Sequence, residues 1–191
     1  MTTFKVVKVS TFKSFSLNLN GRLWKADQPV IVGILNASKD SFYSGQSSVN
    51  EAMAQAESLI KDGADWLDIG ACSTQPGAEI PSIDEAWSRL KDLLPAMRKT
   101  FPGIPMSIDS FRPEIVRRAN EEGVDMINDI SGGCDTMFQL AADRQMPYVL
   151  SHFPEGKTPS DMQDGSLPSR DAIIPLVMKH FTKQLLALQA A

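Results

Sequence analysis

From residue 30 onward the chain repeats one pattern five times: a short apolar run that closes on a polar residue, then an amphipathic stretch at helical spacing. The runs are VIVGILN (30–36), DWLDIG (65–70), PMSIDS (105–110), MINDIS (126–131) and YVLSH (148–152). Each is too short for a helix and nearly continuous in its apolar residues, which is how a parallel strand covered on both faces reads. Strands alternating with helices predict an α/β fold, a parallel sheet with right-handed crossovers. Regular spacing alone does not separate a barrel from an open doubly wound sheet.

The punctuation between runs agrees with this. Ser48-Val-Asn-Glu51 and Ser82-Ile-Asp-Glu85 are capping-box signatures that predict helix starts. Ala52, Ala56, Leu59 and Ile60 then lie on one face of the first helix, and Trp87, Leu90, Leu94 and Met97 on one face of the second. Gly63 and Gly123 are placed to end helices, and Pro113 suits a first helical turn. A last helix is expected from about Asp171, with Ile174, Val177, Phe181, Leu185 and Leu188 as its stripe. Before all this, FSLNLNGRLW alternates apolar and polar around Asn20-Gly21, a primed hairpin turn. One domain follows, with an N-terminal hairpin over 1–29 and the α/β units over 30–191. GADWLDIG and GVDMINDI echo one another two units apart.

A net charge of −4 argues against a nucleic-acid partner, which normally meets a basic face. No run approaches the ~20 apolar residues of a membrane span, and lysines interrupt the apolar residues of the N-terminus, unlike a signal peptide. Cys72 and Cys134 form no close pair, so a reducing, cytoplasmic setting is expected.

The chemistry gathers where the strands end. Asn36, Asp68, Asp109, Asn128 and His152 all fall toward the C-terminal ends of their runs, where α/β proteins of either architecture place ligands. A single strand-end Asp more often caps a helix or ties a loop. Asp109 is a poorer case for that role, because the next helix is expected to begin four residues later, at Pro113. Five such residues on one edge favour a shared ligand. A carboxylate beside an amide suits an amino-substituted heterocycle: the carboxylate takes two N–H donors, and the amide offers a donor and an acceptor. Asn128 would face that ligand while Asp129, on the other face, would tie the sheet to its helices.

The stretches GILNASKDSF (33–42), DIGACSTQPGAE (68–79), SIDSFRPE (107–114) and INDISGG (127–133) resemble the pterin-binding family, and within it the dihydropteroate synthases. The resemblance runs from about Pro29 to the C-terminus. It implies a TIM (β/α)8-barrel type of fold and a Mg2+-assisted transferase of folate biosynthesis. Such an enzyme joins 6-hydroxymethyl-7,8-dihydropterin diphosphate to 4-aminobenzoate and releases pyrophosphate. It implies that Asp109 and Asn128 hold the pterin, with Asp68 completing the catalytic set. Asn36 would be the metal- and diphosphate-side ligand, and Ser38, Lys39, Thr74 and Gln75 would lie in the loops for diphosphate and aminobenzoate. Family members are homodimers.

Two positions depart from the family's pattern: Gln75 stands where Arg is usual, and Lys39 where Pro is usual. Gln75 cannot supply a guanidinium's charge or its two-pronged grip on phosphate, and Lys39 is a candidate to restore part of that charge. A barrel of this type typically needs about 250 residues. The chain is therefore expected to hold only the first five βα units, C-terminally truncated, with little or no synthase activity alone. Two alternatives stay open: a methyltetrahydrofolate-type methyltransferase and a non-catalytic pterin-binding module.

Overall fold

A computed structural model of the chain describes residues 12–37, 46–71, 80–152 and 169–191. The first two strands, β1 (Phe15–Leu19) and β2 (Arg22–Ala26), pair antiparallel. Asn20 and Gly21 both carry positive φ, 51° and 81°, as the primed turn requires. Leu19 and Ala26 are buried, and the Trp24 ring lies 6.1 Å from that of Trp66, centroid to centroid. The Asn20 amide donates to Val124 O and Asp125 Oδ1. The hairpin thus sits against the N-terminal ends of the strands that follow.

Those strands are β3 (Val32–Asn36), β4 (Trp66–Gly70), β5 (Met106–Asp109), β6 (Met126–Asp129) and β7 (Tyr148–Leu150). They form one parallel sheet in the order β3-β4-β5-β6-β7, as the sequence pattern predicted. Among the described strands the order never reverses, so the sheet has no switch point of the doubly wound kind. Between and after them run α1 (Gln46–Lys61), α2 (Ile83–Leu90), α3 (Leu93–Thr100), α4 (Pro113–Glu121), α5 (Asp135–Arg144) and α6 (Arg170–Ala190).

The two faces of the sheet differ sharply. Side chains alternate along a strand. Leu35, Leu67, Ile69, Ile108 and Ile127 are fully buried in a core shared with Ala52 and Ala56 of α1, Leu90 of α2, Leu94 and Met97 of α3, Val116 of α4 and Met137 of α5. Gly33 lets α1 come close, since a Cβ there would lie 3.1 Å from Ala64 Cβ and 3.2 Å from Leu59 Cβ. The other face is partly open: Val32, Ile34 and Val149 are 38%, 62% and 40% exposed. Among the described residues no helix is long and apolar enough to cross a membrane.

Several boundaries differ from the sequence reading. The second helix is two: Pro95 has no N–H to give and its ring would clash with the carbonyl four residues back, so the helix breaks and restarts at Leu93. The Ser82–Glu85 capping box forms in full. The Ser48–Glu51 box does not open α1, which already begins at Gln46 and places Ser48 inside the helix. On α6, Ile174 and Leu185 are exposed, whereas Val177, His180, Phe181 and Gln184 turn inward. Gln184 Nε2 donates to Gly132 O at 2.6 Å and His180 Nε2 lies 3.2 Å from Ser151 O, so polar anchors helped choose the packed side.

The internal echo has a structural meaning. Gly63 and Gly123 end α1 and α4 with φ of 106° and 90°. The aspartate two residues after each glycine then accepts a backbone N–H at the start of the preceding strand. Asp65 takes Ile31 N at 2.8 Å and Asp125 takes Met106 N at 2.9 Å.

Candidate functional site

Four of the polar strand-end residues meet on the open face. In the parallel register Asn36 pairs with Gly70, Gly70 with Asp109, and Asp109 with Asn128. Asp68 lies one pair below, beside Ser107. A Cβ added at Gly70 would lie 3.3 Å from Asn36 Oδ1 and 3.5 Å from Asp109 Oδ2, so these two oxygens flank one spot. The absent side chain keeps that spot open. Arg89 of α2 donates to Ala71 O at 2.6 Å, fixing the backbone just past β4.

Asp68 is the anchor of the group, 6% exposed. Its Oδ1 accepts the hydroxyl of Ser107, and its Oδ2 accepts Asn128 Nδ2 at 2.8 Å. Burial raises the Asp68 carboxyl above its usual range, and the hydrogen bonds from Ser107 and Asn128 pull the other way. Asp109 is pushed up to about 6, first by burial, then by the negative charges of Asp68 and Asp129. Asp109 has no side-chain donor satisfying its oxygens among the described residues, and it stands at the rim, only partly buried. Within the described residues it is a carboxylate with acceptor capacity to spare.

Asp129 behaves differently from the sequence reading. It does face away from the site and is fully buried. Its oxygens accept Ser131 N at 2.7 Å and the Tyr148 hydroxyl at 2.5 Å, so it ties the β6 turn and β7 rather than the helices. Burial and that bond push the Tyr148 hydroxyl upward, keeping it a donor.

His152 does not join the four. Its ring packs edge-on against His180, centroids 4.8 Å apart, and lies tilted against Phe181 at 6.3 Å, both on α6. Ser38, Lys39, Thr74 and Gln75 lie outside the described residues. The residue that sequence reasoning passed over is Ser107. Its signal was available: two positions before Asp109, it must share that residue's face, and a hydroxyl there in an otherwise apolar run needs a partner.

The only oxygen ligand proposed for a metal is Asn36 Oδ1. It is exposed at the strand end, and among the described residues no three His, Cys, Asp or Glu gather into a cage. A single hard oxygen donor fits Mg2+, which keeps most of its waters and shares the rest of its shell with substrate phosphates.

Comparison with known proteins gives the family. A family described as "Pterin binding enzyme" matches residues 32–191. A dihydropteroate synthase of Synechocystis is 40% identical over 126 residues, covering 64% of this chain and 43% of its own. A folic acid synthesis protein of Schizosaccharomyces pombe is 33% identical over 83% of this chain and 22% of its own. The solved dihydropteroate synthase of Xanthomonas albilineans with 4-aminobenzoic acid superposes with a TM-score of 0.79 at 31% identity, covering 93% of this chain and 62% of that one. The chain thus spans less than two thirds of the length of each of these relatives. The family match across residues 32–191, which takes in all five strands of the parallel sheet, places this chain in the pterin-binding enzyme family.

Proposed function

We propose that the chain carries the pterin-binding part of a dihydropteroate synthase. Such an enzyme condenses 6-hydroxymethyl-7,8-dihydropterin diphosphate with 4-aminobenzoate to 7,8-dihydropteroate and pyrophosphate. One observation carries the reading above the others: Asp109 and Asn128 are register neighbours on the same face, with the Asn128 amide held by Asp68. That gives an acceptor-only group and a fixed amide within reach of one flat bicyclic ligand. The consecutive strand order and the one open, apolar-rimmed sheet face favour a barrel-type fold, of which these are the first five βα units.

The roles follow from charge. Breaking the bond to pyrophosphate leaves positive charge on the pterin methylene; the aromatic amine then forms the C–N bond and releases one N–H proton to solvent. The carboxylates of Asp68 and Asp109 lie where they stabilise that cation in a site of reduced dielectric. Asn36 stands on the opposite side of Gly70 from Asp109, and we assign it to the leaving diphosphate. Mg2+, when held by Asn36, supplies countercharge to the diphosphate oxygens. We place the protein in the cytoplasm.

Calorimetric titration of the chain with pterin-6-carboxylic acid, alone and then with Mg2+ and pyrophosphate, tests this. Measurable pterin binding that pyrophosphate and Mg2+ strengthen is the expected result. Binding unchanged by either would favour a pterin-binding module without diphosphate chemistry. No heat with any pterin would sink the proposal.

A further inference from the structure

We infer that Ser107 is a positioning residue: acting through Asp68, it fixes which end of the Asn128 amide faces the ligand. This rests on the reading of the site as a pterin cleft, and it adds a residue that the four motif positions do not include.

The geometry is a three-member chain across three adjacent strands. Ser107 on β5 is 1% exposed, and its hydroxyl bonds to Asp68 Oδ1 on β4. The other oxygen of Asp68 bonds to Asn128 Nδ2 on β6. An ionised carboxylate only accepts, so it can satisfy the amide of Asn128 only through the NH2 end. One of that group's two hydrogens is then committed, and the carbonyl oxygen is the end of the amide that Asp68 does not hold. A donor edge on the ligand, such as the amino group of a pterin, meets an acceptor there.

Ser107 keeps the arrangement single-valued. Without its hydroxyl, Asp68 Oδ1 would be a buried oxygen with no donor, in a place where burial already favours the protonated acid. A protonated Asp68 can donate to the amide oxygen of Asn128. The amide could then turn over and present NH2 to the ligand, and the site would no longer distinguish a donor from an acceptor at that position.

The test reads the amide with and without ligand. In ligand-free protein labelled with 15N-asparagine, the Asn128 signal is assigned by its disappearance in Asn128→Asp. Wild type and Ser107→Thr, which keeps the hydroxyl, are expected to show one Asn128 side-chain proton shifted downfield and slow to exchange. In Ser107→Ala that proton returns toward the free-amide position and exchanges about tenfold faster, the equivalent of one net hydrogen bond. The same proteins are titrated with pterin and with lumazine, which carries an oxo group where pterin carries the amino group. Wild type and Ser107→Thr should prefer pterin, and Ser107→Ala should lose about tenfold of that preference.

An unchanged amide proton and an unchanged ligand ratio in Ser107→Ala, whatever its thermal midpoint, would overturn the inference and leave Ser107 a packing residue. If wild type shows the anchored proton, Ser107→Ala loses it, and neither protein binds pterin, the positioning chain is supported and the pterin reading fails.

Discussion

Asp109→Ala is expected to weaken pterin binding at least about a hundred-fold, the usual scale for removing a charged hydrogen-bond partner that the bound ligand covers. Asp109→Asn should cost nearly as much, because the amide exposes a donor where the ligand also donates. The pH dependence follows from the carboxyl being raised to about 6 by burial and by Asp68 and Asp129. Only the ionised form accepts two donors, so affinity should climb as pH rises from 5 toward 7 and level off above. In Asp109→Asn the profile should be flat across that window. Titrations of wild type and Asp109→Asn from pH 5 to pH 8 check both statements.

The sign for folding is opposite. Asp109 binds its proton more tightly folded than unfolded, so folding becomes less favourable as pH rises from about 4 to about 6, and the penalty persists above. Asp109→Asn should therefore be more stable than wild type at pH 7 by on the order of 1 kcal/mol, allowing for its partial exposure. The advantage should vanish near pH 4. Loss of binding together with gain of stability is the signature of a carboxylate kept for a ligand. A structural aspartate would lose both.

Much of this was legible before any coordinates. Alternating apolar runs and helical stripes predicted the parallel sheet, and the polar residues at strand ends pointed to one edge. Asp68, Asp109 and Asn128 came out on one face because strand alternation leaves few options once the register is parallel. The failures have local causes. Ser48 reads as a cap, but cap chemistry is only a local preference, and α1 runs on past it to Gln46. Pro95 was overlooked as a breaker because the apolar spacing of Trp87, Leu90, Leu94 and Met97 continues across it. His152 ends the fifth run as Asn36 ends the first, yet aromatic packing with His180 and Phe181 takes its ring. No sequence pattern states which of two neighbours a histidine will stack on. Ser107 was missed because a serine in an apolar strand is easily read as filler, when burial makes its hydroxyl expensive unless bonded.

The largest loss of stability should come from the other end of the sheet, at Asp125. This carboxylate is 4% exposed. It accepts Arg98 Nη2 at 2.6 Å, Met106 N at 2.9 Å and Asn20 Nδ2 at 3.1 Å. It therefore joins α3, the start of β5 and the hairpin in one place. Asp125→Ala removes the carboxylate and leaves a strand N–H and part of a guanidinium facing a hole. Arg98 keeps bonds to Gly123 O and Ile104 O, which moderates the cost of its charge. The expected destabilisation is about 3 kcal/mol, at the low end for breaking a buried pair. That corresponds to a fall in thermal midpoint of roughly 6–12 °C for a chain of this size. Asp65 offers the control, because it plays the same part for Ile31 N without a described arginine partner and in a more exposed setting. Asp65→Ala should cost about 1 kcal/mol, the worth of one net hydrogen bond. Thermal and urea unfolding of both variants measure the difference. Equal losses would mean that the bond to the strand N–H dominates and that the Arg98 pair contributes little. A loss in Asp125→Ala smaller than in Asp65→Ala would refute the ranking. Pterin affinity should not change in either variant, since both aspartates sit at the strand ends opposite the site.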